Sequence, residues 1–165
     1  VWWKLKVQLG ANDCQIGLGL AAAGIGSVIW ASVTPRIRRY LGYRAACFWP
    51  IWVLALLCLA MGATQTLTVI FVISFVEGAV ALCFAIGIWS YRQETTEAAN
   101  MGRVAGITGA IFKLLMPPVI FLAGWLADAE AVGSVFVMAA AINIAAALFL
   151  TFVARWGWPA RSVNQ

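Results

Sequence analysis

Two residues of opposite charge, Glu77 and Lys113, lie deep inside long apolar runs of the sequence. Glu77 is about ten residues, roughly 15 Å of helix, from one end of its run, and Lys113 about eleven residues, roughly 16 Å, from an end of the next. A charge at the centre of a bilayer costs at least about 2.5 to 3.5 kcal/mol. We therefore expect this acid and this base, at one depth on consecutive helices, to form an ion pair.

Two interpretations of this pair remain open. It can simply fix the register of two helices, because buried ion pairs are weak evidence for anything more. Alternatively, a cationic substrate or a coupling proton competes with Lys113 for the carboxylate of Glu77. Ser74, one helical turn from Glu77, and Asn143, midway along the last apolar run, are further polar candidates for such a substrate or proton site.

The sequence lacks the residues that metal binding and most enzyme mechanisms need. The chain has no histidine, the commonest proton shuttle and metal ligand. Its four cysteines form no C-x-x-C motif and suggest no disulfide: Cys14, Cys47, Cys58 and Cys83. We therefore predict no enzyme activity, no metal site and no cofactor.

The composition places the elements that carry these charges in a lipid bilayer. Of 165 residues, 64% are hydrophobic and 10% are charged, whereas soluble domains have roughly 25% charged residues. About 20 apolar residues cross the hydrocarbon core as a helix, and the runs lack the alternation of a membrane β-barrel. The predicted fold is an all-α membrane bundle of five transmembrane helices and an N-terminal stub, in one domain, with spans at about 14–33, 46–63, 67–89, 102–127 and 132–154.

The ends of the chain suggest a piece of a longer protein. Residues 1–9 are too short to cross a membrane and lack the parts of a signal peptide, so we expect the end of a preceding helix or an interfacial segment. Because the sequence begins with Val1, we expect a fragment at this end. Residues 155–165 form a polar tail that has the character of a true C-terminus.

Basic residues collect on one predicted face of the membrane and predict its orientation. That face holds eight arginines: Arg36, Arg38, Arg39, Arg44, Arg92, Arg103, Arg155 and Arg161. By the positive-inside rule it is cytoplasmic, as is the C-terminus, and the nine tryptophans fall near the two interfaces as an aromatic belt. The basic pI near 9.4 therefore reflects how the chain is oriented in the membrane, and nucleic acid is not an expected partner. We expect that membrane to be a bacterial inner membrane.

Small residues form stripes on two of the predicted helices. Gly19, Ala23 and Gly26 share a face of the first span, and Gly102 and Gly106 share a face of the fourth. Such stripes allow close packing of helices. We expect these two spans to be the ones that slide or rock.

The arginine-rich loops carry a family resemblance. The resemblance lies in three segments. The first ends in Thr34–Arg44, the second is the Gly102-Arg103-Val104 motif after Arg92–Glu97, and the third is Gly124–Asp128. Together they resemble the second half of major facilitator superfamily transporters, especially the drug- and siderophore-exporting members. The resemblance implies that this chain corresponds to the end of helix 7 through helix 12 of a protein built from two six-helix halves around a midplane site.

The resemblance also implies gating residues. In the loop motif Gly-x-x-x-Asp-basic-x-Gly-x-basic, Gly42 and Arg44 match, whereas Pro35 replaces the first glycine, Arg39 the aspartate and Tyr40 the basic residue. The acidic charge lock of that loop is thereby lost.

Three further positions complete the gating set. Asp128 belongs to the helix-ending motif. Arg103 has two interpretations. It is either a conformational latch, or a residue that anchors the helix to lipid headgroups or pairs with Glu94 or Glu97. Pro117-Pro118 predicts a bend that is either a gating hinge or a distortion without function.

Two functions follow from these observations. The first is a secondary transporter half that exports a small amphipathic compound in exchange for protons, by alternating access with a missing N-terminal half. The second is a truncated, transporter-like accessory subunit packed in a larger membrane complex, without transport. Both place the chain in the lipid bilayer, and neither identifies a substrate.

Overall fold

The computed structural model describes residues 4–128 and 132–157, without the side chains of 7–8, 37–38, 41–47, 127–128, 132 and 153–157. After a short π-helical segment, Lys4–Gln8, come four α-helices: α1 (Asp13–Ala63), α2 (Leu67–Thr95), α3 (Met101–Asp128) and α4 (Val132–Gly157). No strand occurs among the described residues. Four segments are long and apolar enough to cross a membrane, namely Asp13–Arg36, Leu67–Thr95, Ala98–Leu126 and Gly133–Phe152, so the chain is an integral membrane protein.

The first two predicted spans, 14–33 and 46–63, were expected as separate helices, but they lie in one continuous helix, α1. A straight helix of that length would separate Ile16 and Met61 by roughly 65 Å, yet both belong to one buried cluster. The helix therefore folds back on itself between its two arms. We call these arms α1N (Asp13–Arg36) and α1C (Phe48–Ala63); α1C is the shorter, apolar arm, and Pro35 and Pro50 lie within the helix near the bend.

The arms of α1 pack on α2 and α4 at one end of the protein. The buried cluster there joins the N-terminal segment to both arms and to α2, through Leu5, Ala11, Ile16, Met61, Ile70 and Ile73. Phe136 of α4 packs against it. We call this the Lys4 end. Because residues 64–66 connect α1C directly to α2, these two run antiparallel, and α1N runs parallel to α2.

Helix α3 has little contact with the rest of the protein. Every side chain from residue 110 to 122 is exposed, including Pro117 and Pro118, which lie inside the unbroken helix. The glycine stripe of this helix does not pack as expected, since nothing lies within 4 Å of a Cβ built on Gly102, Gly106 or Gly109. The described part of the protein therefore leaves α3 open on all sides along this stretch.

Candidate polar site between α1 and α2

A glycine seam brings α1N and α2 into backbone contact. A Cβ built on Gly26 would overlap the carbonyl oxygen of Phe75, and one on Gly78 would overlap that of Ala23. The Ser27 hydroxyl completes the seam, with the carbonyl oxygens of Ala23 and Gly78 as acceptors at 2.9 and 3.0 Å. The close packing predicted for the Gly19–Ala23–Gly26 stripe is thus confirmed, because side chains larger than hydrogen are sterically excluded where backbones approach this closely.

Next to this seam, Ser74 and Glu77 form the polar part of the site. Ser74 is 3% exposed, and its Oγ atom has no hydrogen-bond partner among the described residues. Glu77, one turn further along α2, is half-buried near the thiol of Cys58 on α1C. Buried hydroxyl groups are almost always satisfied, so Ser74 lacks the partner that such a group usually has.

The predicted ion pair between Glu77 and Lys113 is not formed. Both residues are described, and neither takes part in the ion pair found in the described part of the chain, Lys6–Asp13. Lys113 is exposed on the open stretch of α3, whereas Glu77 is half-buried on α2. The prediction was wrong because sequence gives the depth of a residue but not the direction in which its helix packs.

Asn143 does not join the site either. Its side-chain amide donates to the carbonyl oxygen of Ala139 in its own helix, at 2.9 Å. This local bond satisfies the amide within α4. Ser74 and Glu77 thus lie one turn apart on α2, whereas Lys113 is exposed on α3 and the amide of Asn143 is bonded within α4.

Among the predicted gating residues, the described side chains are exposed. Arg39 and Arg103 both project outward, and Arg103 forms no ion pair with Glu94 or Glu97 within the described residues. The side chain of Arg44, that of Asp128 and the surroundings of Gly42 lie outside the described residues.

A different arginine, which sequence reasoning missed, connects α2 to α3. Arg92 donates to the hydroxyl of Thr108, and its guanidinium lies 4.2 Å from the ring centroid of Trp89. Thr108 in turn donates to the carbonyl oxygen of Val104 at 2.6 Å. The three-residue spacing of Trp89 and Arg92 on a helix was the available signal.

Replacing Arg92 with methionine should release the first turns of α3. The substitution removes both the charged hydrogen bond and the cation–π contact, which together stabilise this junction by about 2 kcal/mol. We expect distances measured by electron paramagnetic resonance between labels on α2 and α3 to broaden. The matched control is Arg103→Met, on an exposed side chain, and an equal broadening in that variant would contradict the role of Arg92.

At the opposite end, Lys4 holds three segments together. Its ammonium donates to the carbonyl oxygens of Met61 and, at 2.7 Å, of Gly62, and it lies 5.4 Å from the ring centroid of Phe136. These carbonyl oxygens belong to the last turn of α1, where the helix itself offers no backbone N–H group to donate to them. Burial lowers the pKa of Lys4 from its ordinary value of 10.5.

The buried polar atoms continue toward the arginine-rich end. The indole nitrogens of Trp30 and Trp49 are buried without a hydrogen-bond partner in the described part of the chain. Thr34 is fully buried beside Cys83 and donates to the carbonyl oxygen of Trp30 at 2.8 Å. Trp52, Trp89 and Trp125 are exposed, as residues of an aromatic belt would be.

A depression of the described surface lies elsewhere, on α4. It is open, measures about 660 Å³ and is lined by Leu148, Phe149, Thr151 and Phe152. Comparison of this chain with protein-family models, with curated proteins and with solved structures finds no match. The function is therefore argued from the geometry of the site.

Proposed function

We propose that this chain is the C-terminal half of a secondary transporter of the major facilitator kind, which exports a small amphipathic compound in exchange for protons. The observation that carries the proposal is a membrane-embedded carboxylate, Glu77, one turn from a buried hydroxyl without a partner, Ser74. Ionisable residues at this depth mark ion or substrate pathways as a rule. The proposal needs no pairing of Glu77 with Lys113.

Five crossings and a stub are part of this proposal. The reversal of α1 makes α1N and α1C two crossings, and α2, α3 and α4 provide three more. Because Arg36, Arg92 and Arg103 then lie on one side, that side and the C-terminus are cytoplasmic by the positive-inside rule, in an inner membrane. Arg39, Gly42, Arg44, Arg103 and Asp128 remain gating candidates, and Pro117-Pro118 a candidate hinge.

Efflux of ethidium, a fluorescent amphipathic cation, tests the proposal in energised cells that express this half together with the N-terminal half of the transporter. Wild-type cells should expel the dye, and an uncoupler should stop them. Glu77→Gln should reduce the rate to that of cells without the protein, because the amide cannot exchange a proton. Glu97→Gln, a matched change in an exposed loop, should leave the rate unchanged. Proton-driven efflux by Glu77→Gln at the wild-type rate would remove Glu77 from the coupling step.

A second candidate is an accessory subunit of a larger membrane complex. The exposed stretch of α3 favours it, because a lysine on an unpacked helix at mid-depth calls for a neighbour. The two candidates differ in one result. The accessory subunit expels no ethidium, with or without Glu77.

A further inference from the structure

Lys113 presents an electrostatic problem that the described residues of one copy do not solve. It lies about 12 residues, roughly 18 Å, inside α3, beyond the reach of a lysine side chain to either interface. Its neighbours from residue 110 to 122 are exposed with it, and no acidic side chain of the described residues pairs with it. A lysine left in lipid at this depth is strongly unfavourable.

Glu77 presents the complementary problem on α2. It also lies near the middle of its helix, and no basic side chain of the described residues forms an ion pair with it. Ala81, one turn further along α2, is exposed, so this side of α2 is open next to the carboxylate. Within the described residues, each copy thus carries an acid and a base without an ion-pair partner, and their heights, counted from the adjoining ends of α2 and α3, differ by about 9 Å.

We infer that two copies of this chain associate side by side in the membrane about a two-fold axis, with Lys113 of each copy paired with Glu77 of the partner subunit. A two-fold interface repeats every contact, so both acids and both bases are neutralised at once. Copies inserted in the same direction keep each residue at its depth. The open space beside Gly106 and Gly109 allows a helix of the second copy to approach α3 closely.

The association goes beyond the proposed function and is measured without transport. Chains labelled with a donor or an acceptor dye are reconstituted in phosphatidylcholine vesicles, and energy transfer between them reports pairing. Wild-type chains should show transfer. Lys113→Glu and Glu77→Lys, each tested alone, should bind themselves at least about thirtyfold more weakly, because like charges then face each other twice.

Mixing the two variants provides the decisive result. A Lys113→Glu chain brings two acids and a Glu77→Lys chain brings two bases, so their mixture re-forms both pairs and should recover energy transfer. Pairing within one chain cannot be restored by mixing. Glu97→Lys, an exposed charge reversal, is the matched control and should behave as wild type.

The inference is overturned if wild-type chains show no transfer, or if the mixture of folded variants does not recover it. Helix content from circular dichroism shows whether each variant folds. If either does not, cross-linking replaces the mixture: chains without native cysteines carry Glu77→Cys or Lys113→Cys. A disulfide-linked dimer that forms only when both kinds of chain are present supports the inference, and its absence refutes it.

Discussion

Replacing Gly78 by alanine should lower the free energy of unfolding by about 3 kcal/mol, the upper part of the range for overpacked sites. The added methyl group would overlap the carbonyl oxygen of Ala23. That atom belongs to the backbone of α1N, so it cannot rotate away as a side chain would, and the two helices must separate. Separation also weakens the Ser27 hydrogen bond to the carbonyl oxygen of Gly78. Unfolding by sodium dodecyl sulfate in mixed micelles measures the effect.

Gly24→Ala is the matched control for this change. Nothing lies within 4 Å of a Cβ built on Gly24, although it shares α1N with the seam. Alanine favours a helix over glycine by about 1 kcal/mol, so this variant should be as stable as the wild type or slightly more so. If Gly78→Ala unfolds at the same detergent fraction as Gly24→Ala, the close approach of α1N and α2 is not a feature of the folded protein.

Replacing Lys4 by methionine should destabilise the protein by about 2 kcal/mol, the usual cost of losing hydrogen bonds to a charged group. Methionine fills a similar volume but donates nothing, so the carbonyl oxygens of Met61 and Gly62 lose their partner and the contact with Phe136 loses its charge. Lys6→Met is the control. Lys6 is an exposed residue whose 3.3 Å contact with Asp13 is a surface ion pair, worth about 0 to 1 kcal/mol.

The pH dependence of this effect has a definite sign. Burial lowers the pKa of Lys4, so at pH values between its folded value and 10.5 the unfolded chain binds more protons than the folded one. Stability then rises with pH across that window. The difference in unfolding free energy between wild type and Lys4→Met should therefore widen as the pH approaches 10.5. A difference that narrows over that range would show that Lys4 is not buried in the folded protein.

Much of the fold was predictable from the sequence because lipid demands long apolar runs. The spans at 102–127 and 132–154 agree with α3 and α4 to within a few residues. Helix α2 was expected to end at residue 89 but continues to Thr95, since arginine, glutamine and glutamate are good helix formers where the helix enters water. The stripe of Gly19 and Gly26 was predictable from small size alone.

Other features depend on which faces of the helices meet, and the sequence carries little of that information. The continuity of α1 was missed because an arginine-rich stretch between two apolar runs suggests a loop, although its residues also favour a helix. Lys113 could be placed at a depth but not on a side. The junction at Arg92 and Thr108 depends on how α2 and α3 meet at their ends, which neither residue reveals alone.

The cluster at the Lys4 end bears on how the protein is made. Leu5 and Ile16 have no complete set of neighbours until Met61, Ile70 and Ile73 have left the ribosome. Synthesis therefore delivers both arms of α1 and then α2 to the membrane before the cluster can close, while α3 and α4 are still to come. Of these two helices, α4 packs on the earlier part of the chain, because its Phe136 contacts Gly62 and Lys4. Helix α3 is synthesised after all the residues that join α1 to α2, and its stretch from residue 110 to 122 stays exposed in the folded chain.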